Sequence, residues 1–331
     1  MKQSYLLTTY FILMSFHLLA SCSDKKVDFI FNRTEHIVVD TIPIQHLFSP
    51  AFMAAKKDML IMTSNGADNS GNMLHLYRLP TLEYMYSNGS NGRGPNEFSS
   101  FPLIAQTTHM NRLYLWGYTP LTIKEWEIRN DSLSLNNTYT LNQYENFNQL
   151  HIAQDSLFIY SAIPGDFSIK KYNLDKHKKT GKIALKMDKE SQPYYSPNYG
   201  LVAANESVIV YAYYYKKQFD IYDISSLRLK KRITGIYDDQ HIDLDDFDSN
   251  VQHYTNIVAG EKYFYALYRG RPRKERTINS DVIEVFDYDG NPVVKYTFEI
   301  CPQYFTIDES NNVLYGFSFD FEDYILRCSL Y

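Results

Sequence analysis

The chain has 331 residues, 44% of them hydrophobic and 21% charged, a globular composition long enough to bury a sizeable core, which excludes disorder and collagen-like repeats. Thirty-three bases against 38 acids leave a net charge of -5, which provides no electrostatic footprint for a nucleic acid. Three cysteines, Cys22, Cys301 and Cys328, are too few for a disulfide scaffold and form no CxxC pair, so no metal, redox centre or other cofactor is expected.

After Lys2 the chain is apolar from Tyr5 to Ala20, with no acid or base except His17. That run is short for a spanning helix of about 20 residues and has the layout of a secretory signal. It ends in Leu19-Ala20-Ser21-Cys22, which resembles a bacterial lipobox. Residues 1–21 are therefore expected to be removed as a lipoprotein signal peptide, leaving Cys22 as a lipidated N-terminus with enough acyl chain for stable anchoring. Ser23 stands where an aspartate would favour inner-membrane retention, so the outer membrane is expected, with the periplasmic or cell-surface face left open. Residues 22–34 read as a lipidated tether and 35–331 as one domain.

Thirty Tyr and twenty Phe against fourteen Gly and twelve Pro suit a pleated, half-buried surface, and no stretch sustains helical spacing. In chain order the strand-like runs fall into pairs: 58–64 with 73–79, 112–118 with 122–128, 156–162 with 167–174, 207–215 with 218–224, 262–268 with 281–288, and 312–319 with 323–329. Each pair has a weaker strand before it and usually another after. The resulting units begin near Pro50, Pro102, Phe147, Asn198, His253 and Pro302, at steps of 52, 45, 51, 55 and 49 residues. Four strands repeating every ~40 to 50 residues describe a β-propeller, whose blades cannot hide both faces alone.

The expected fold is all-β, a six-bladed β-propeller of four-stranded antiparallel blades. The last unit ends after three strands, and EHIVVDTIPI at 35–44 is expected to supply its fourth, closing the ring and protecting the edges. Seven blades are the alternative, because the 52- and 55-residue steps have room for further strands. In this register Cys301 and Cys328 sit at opposite ends of strands two spacings apart, ~9.6 Å, beyond the ~7 Å reach of a disulfide. Two free thiols are expected.

The segment NGSNGRGPNEFSSFP at 88–102, followed by NRLYLWGYTPLTIKEWEI at 111–128, resembles an NHL-like repeat. With the lipobox, the whole chain resembles the TolB-like six-bladed propeller lipoproteins of Bacteroidetes. That resemblance implies fold and anchoring rather than chemistry. It also implies O-glycosylation at Asp-Ser/Thr-apolar triplets, which here would modify Thr41, Ser132 and Ser156.

No GxSxG elbow, HExxH, Walker loop or dinucleotide glycine pattern occurs in a suitable context. The glycines of 88–94 lie between strands and read as a blade-to-blade turn. The acidic run at 238–250 fails as a calcium loop, because Val251 and Ile257 stand where Gly and Glu are needed; it reads as a solvated connection. Arg269, Arg271, Arg273, Lys274 and Arg276 are nearly consecutive, either a solvated loop or guanidinium forks for a carboxylate or phosphate.

In a four-stranded antiparallel blade the second-to-third connections and the blade-to-blade connections emerge on one face, and here they are the long ones. Arg93, Tyr118, Tyr194, Tyr195, Arg269, Arg271 and Arg273 are expected around the channel mouth on that face, a mixture suited to a glycan or an acidic peptide. Joint replacement of the last three arginines is expected to leave the melting temperature unchanged. Two function classes stand: a membrane-anchored binding or scaffold protein with a glycan, peptide or protein partner, or a metal-assisted hydrolase or lyase at the channel mouth.

Overall fold

A computed structural model of the chain describes residues 28–330, apart from 45, 47–48, 119–120, 142–146, 164, 188–192, 238–241, 276–280 and 322. The expected signal peptide and Cys22 lie outside these residues. Among those described, the regular structure is strand throughout, save two short 3-10 turns at Pro193–Tyr195 and Phe247–Ser249.

Two strands, β1 (Thr34–Ile37) and β2 (Val39–Pro43), precede the first blade. Blade one is β3 (Pro50–Lys56), β4 (Met59–Ser64), β5 (Asn72–Arg78) and β6 (Glu83–Ser90), and blade two is β7 (Leu103–Thr107), β8 (Arg112–Tyr118), β9 (Leu121–Arg129) and β10 (Ser132–Thr140). Blade three follows as β11 (Asn148–Gln154), β12 (Leu157–Ser161), β13 (Ser168–Asn173) and β14 (Lys178–Ala184), and blade four as β15 (Gly200–Ala204), β16 (Val208–Tyr213), β17 (Gln218–Asp223) and β18 (Leu229–Thr234). Blade five is β19 (Val251–Ala259), β20 (Tyr263–Pro272), β21 (Val282–Asp287) and β22 (Pro292–Phe298). Blade six is β23 (Tyr304–Asp308), β24 (Val313–Phe317) and β25 (Tyr324–Ser329), completed by β2.

Each blade is antiparallel. Parallel pairing of β7 with β11, at Gln106 and His151, joins blades two and three into one eight-stranded sheet. The innermost strands β3, β7, β11, β15, β19 and β23 are neighbours in a closed ring. The described residues thus form six blades and not seven. The extra length of the long steps is spent on the connections after β6 and β18.

Burial follows from the stacking of blades. β4 and β16 are buried at every position, because each middle strand has a blade on both sides, whereas the outer β18, sequence LKKRIT, is exposed along most of its length. The apolar core divides into six clusters, one between each pair of adjacent blades. The glycine-rich turn between blades one and two has a structural cause. Gly89 has φ +69°, and a Cβ there would lie 2.9 Å from Leu74 Cγ. Nearby, the Lys124 ammonium, 4.6 Å from the Phe98 ring centre, donates to the carbonyls of Pro95 at 2.7 Å and of Glu97.

The N-terminal closure differs from the expected single strand. β2 pairs antiparallel with β25, Val39 opposite Cys328, and completes blade six; β1 instead pairs parallel with β22 as a fifth strand of blade five. The break falls at Val38, 69% exposed, after Ile37 has entered the core. Part of the stretch expected to be a tether is also packed. Phe29 and Phe31 stand edge-on to Phe286 at 5.2 and 5.4 Å between blades four and five, and the Asp28 carboxylate pairs with Lys217 Nζ at 2.8 Å.

Cys301 and Cys328 are unbonded and buried in the interface between blades five and six. Burial pushes the Cys301 thiol well above its ordinary range and the Cys328 thiol up to about 12, so neither supplies thiolate near neutral pH. Iodoacetamide at about pH 8 should leave both unmodified in native protein beginning at Ser23 and modify both after unfolding. Mass spectrometry showing native adducts would contradict this packing.

Candidate functional site: the channel and its arginine-lined mouth

The six inner strands surround a cavity of about 410 Å3 on the propeller axis, with each strand contributing side chains, among them Met53, Gln106, His151, Val202, Thr255 and Phe305. Most of the wall is apolar or aromatic, Trp116 and Tyr304 included. Four buried polar atoms at this cavity and the mouth above it have no hydrogen-bond partner: Gln106 Oε1, His151 Nδ1, Thr255 Oγ1 and Gln252 Nε2. Gln106 reaches from blade two to blade five, where its Nε2 donates to the Ile257 carbonyl at 3.2 Å. Its carbonyl oxygen is therefore left for a ligand or water. An orphaned buried polar group costs about 1 to 3 kcal/mol, so an occupant that supplies partners gains on that scale.

Thr255 and Tyr304 also line a second space of about 510 Å3, on the long-loop face between blades four, five and six. Arg269, Arg271 and Arg273 all line it, beside Tyr214, Gln303 and Phe319. Their chemistry is set by acids. Arg269 Nη1 donates to Gln252 Oε1 at 2.7 Å, and its Nε meets Asp281 Oδ2 at 3.3 Å. Arg271 Nη1 donates to Asp281 Oδ1, and its Nε to the Glu275 carbonyl at 2.9 Å. Asp281 is 6% exposed, so it fixes both forks from within.

Arg273 differs. It is exposed, with Asp248 3.7 Å away, and Lys274 beside it pairs with Asp246 at 2.9 Å. The acidic segment and the arginine loop, separate in the sequence, thus face one another. Asp243 within the acidic segment accepts from the backbone N–H groups of Asp245 and Asp246, a turn-forming role. Asp238 and Asp239 lie outside the described residues.

Of the residues expected at the mouth, the structure gathers the three arginines around one space. Arg93 is exposed on the blade one to blade two connection and does not line the cavity. Tyr194 and Tyr195 stand on the blade three to blade four connection; Tyr195 packs edge-on to Phe247 at 4.8 Å, and neither lines the cavity. Tyr118 ends β8, and its side chain lies outside the described residues. Gln252, Thr255, Gln303 and Phe319 were not singled out from sequence. The available signal was polar residues on innermost strands, as in VQHYTN at 251–256.

The space at the opposite end of the axis, about 310 Å3, includes Lys56, Lys262 and Glu309. Lys56 is buried and donates to the Thr107 and His109 carbonyls at 2.5 and 3.1 Å; burial lowers its pKa to about 7.

With this geometry in place, comparison with known proteins settles the family. The model of the TolB-like 6-blade propeller-like family matches residues 35–310. The chain belongs to that family. Among solved structures, the crystal structure of RRP9 WD40 repeats is similar to this TolB-like propeller at 9% identity, covering 88% of this chain and 97% of that one with a TM-score of 0.52. A likeness at that identity concerns the fold alone. No curated protein matches the sequence.

Two inner-strand histidines of the TolB-like propeller make its stability pH-dependent. Burial lowers the pKa of His151 to about 4 and, reinforced by Lys217, that of His253 to about 4, against 6.5 for the free side chain. Unfolding therefore takes up protons between these values, so their contribution is complete above about pH 6.5 and is lost as pH falls toward about 4. Each shift is worth up to about 3 kcal/mol. Urea midpoints should fall between about pH 7 and about pH 4.5, and His151→Gln should flatten the slope; a constant midpoint would contradict the assignment.

Proposed function

We propose that the protein is an outer-membrane lipoprotein, anchored through acylated Cys22, whose propeller is a binding domain that captures a carboxylate-bearing ligand, a glycan or an acidic peptide, at the arginine-lined mouth. The observation that carries this reading is one cavity combining three guanidinium groups, the aromatic side chains of Tyr214, Tyr304 and Phe319, and two unpartnered polar atoms on Gln252 and Thr255. Aromatic faces take the apolar side of a sugar or side chain, while a pre-oriented guanidinium fork takes the carboxylate. Asp281 neutralises part of the charge and holds two of the forks, which favours singly charged carboxylates over a doubly charged phosphate group.

The lipobox and the Bacteroidetes resemblance support the anchor, on either face of the outer membrane. They also support glycosylation at Thr41 and Ser132, both exposed, and at Ser156, half-buried in the β11–β12 turn. The alternative class, a metal-assisted hydrolase or lyase, requires a donor cluster, and the described residues hold no group of three His, Cys, Asp or Glu side chains placed for one.

Arg269 and Arg271 cannot be removed silently. Each partners the buried Asp281, and leaving that carboxylate uncompensated costs on the order of 3 kcal/mol. The expectation of an unchanged melting temperature for the triple alanine variant is therefore corrected: that variant should melt earlier. Arg273→Ala, whose partner is an exposed acid at 3.7 Å, should leave the melting temperature within error. It should weaken binding of trigalacturonate or a tetraglutamate peptide, measured by calorimetry, by about fivefold or more. If neither probe binds, or if Arg273→Ala and Phe319→Ala both bind like wild type, the site is wrong. For the anchor, Cys22→Ala should move the protein from the membrane fraction to the soluble one, and continued detergent partition would refute it.

A further inference from the structure

Among the described residues ten large hydrophobic side chains are exposed, and their placement is lopsided. Six of them, Phe101, Met187, Tyr194, Ile236, Leu244 and Phe319, stand on connections of the long-loop face, with exposures from 37% to 55%. None stands on a turn of the opposite face. Scattered exposed apolar residues are ordinary on any protein, but their concentration on one face marks an interaction surface.

An independent feature says what that face meets. Asp28, where the described chain begins, bonds to Lys217 in the β16–β17 connection. It also lies against Gly235 at the exit of β18, where a built Cβ would meet Asp28 Oδ1 at 2.8 Å. Both positions belong to the long-loop face, so the chain enters the propeller there. Only residues 23–27 separate Asp28 from Cys22. Six Cα steps reach at most about 22 Å whatever their conformation. A six-residue strand such as β16 itself spans about 20 Å, so a leash rooted here reaches the opposite face only when fully extended along a blade, and every more compact conformation leaves Cys22 nearer the long-loop face.

We propose that the long-loop face is a membrane-docking surface, held against the lipid surface that carries the Cys22 anchor, with Phe101, Ile236, Leu244 and Phe319 entering its interfacial layer. This rests on the acylation of Cys22 proposed above. A lipid anchor gains from a second, weak membrane contact, and aromatic side chains at headgroup depth are favourable. The arginine-lined mouth then opens beside the bilayer, and its ligand is one presented near the lipid surface.

The test uses the full acylated protein, reconstituted into vesicles of phosphatidylethanolamine and phosphatidylglycerol that contain brominated acyl chains. Single variants Phe319→Trp and Ile236→Trp place a fluorophore on the docking face, and Leu229→Trp, 46% exposed at the start of β18, places one toward the other face. Trp116 and Trp126 are buried and form a common background. The two docking-face variants should be quenched at least twofold more than Leu229→Trp. Equal quenching in an acylated protein overturns docking and leaves the anchor standing. An intact mass without the added acyl chains overturns the anchor, and the docking with it. Two docking-face probes keep the result readable if one variant fails to fold.

Discussion

The structure depends on each blade being covered on both faces by its neighbours. A single four-stranded sheet of this sequence would expose two apolar faces, and the six inter-blade clusters are where that surface is removed from water. The ring must therefore close or leave one blade half solvated. Closure is made by strands near the start of the described residues meeting strands near their end, through β2 on β25 and the parallel β1 on β22. Phe29 and Phe31 add a wedge between blades four and five, so the chain's N-terminal end fastens two adjacent blades before it completes a third.

Ring closure also determines where chemistry can sit. Blade faces are filled with Leu, Ile, Val, Tyr and Phe, and burial there admits a charge only when it is paired, as with Asp220, bound by Arg232 at 2.6 Å to each oxygen and by the hydroxyls of Tyr213 and Tyr222. That network joins three strands, β16, β17 and β18, and stiffens blade four. The axis is different. Inner strands splay around a space their side chains do not fill, and polar atoms such as Gln106 Oε1 and His151 Nδ1 can remain unpartnered there only because water or a ligand can reach them.

Much of the fold was legible because propeller blades are written locally. The expected unit starts at Pro50, Pro102, Phe147, Asn198, His253 and Pro302 fall within two residues of the first strand of each blade. Each blade is a meander of sequential neighbours, so alternation and turn residues suffice to mark it. What could not be read depends on contacts distant in sequence. The split of 35–44 between two blades depends on Ile37 and Val39 packing against residues some 260 or more positions away, at Phe298 and Cys328. Asp281 lies beyond the basic run, and nothing in its neighbourhood marks it as the acid that would be buried beneath two arginines. The loop-length asymmetry, which follows from antiparallel connectivity alone, marked the face on which Arg269, Arg271 and Arg273 line one space.

The arginine mouth shows why composition of a loop understates its chemistry. Five nearly consecutive bases would normally be a mobile, solvated patch, with each side chain losing rotamer entropy on capture of a ligand. Here β20 carries Arg269 and Arg271 as an extension of a blade strand, and Asp281, at the entrance to β21, holds both guanidinium groups from the adjacent strand. Their ordering entropy is lost during folding rather than binding, which is the physical content of preorganisation. Arg273, past the strand end, is exposed and faces an equally exposed Asp248 at 3.7 Å, so among the described residues it is held less closely than the other two and keeps more of its field. The site therefore divides into a rigid floor that fixes geometry and a mobile rim that supplies charge, and ligand discrimination should depend on the floor while association rate depends on the rim.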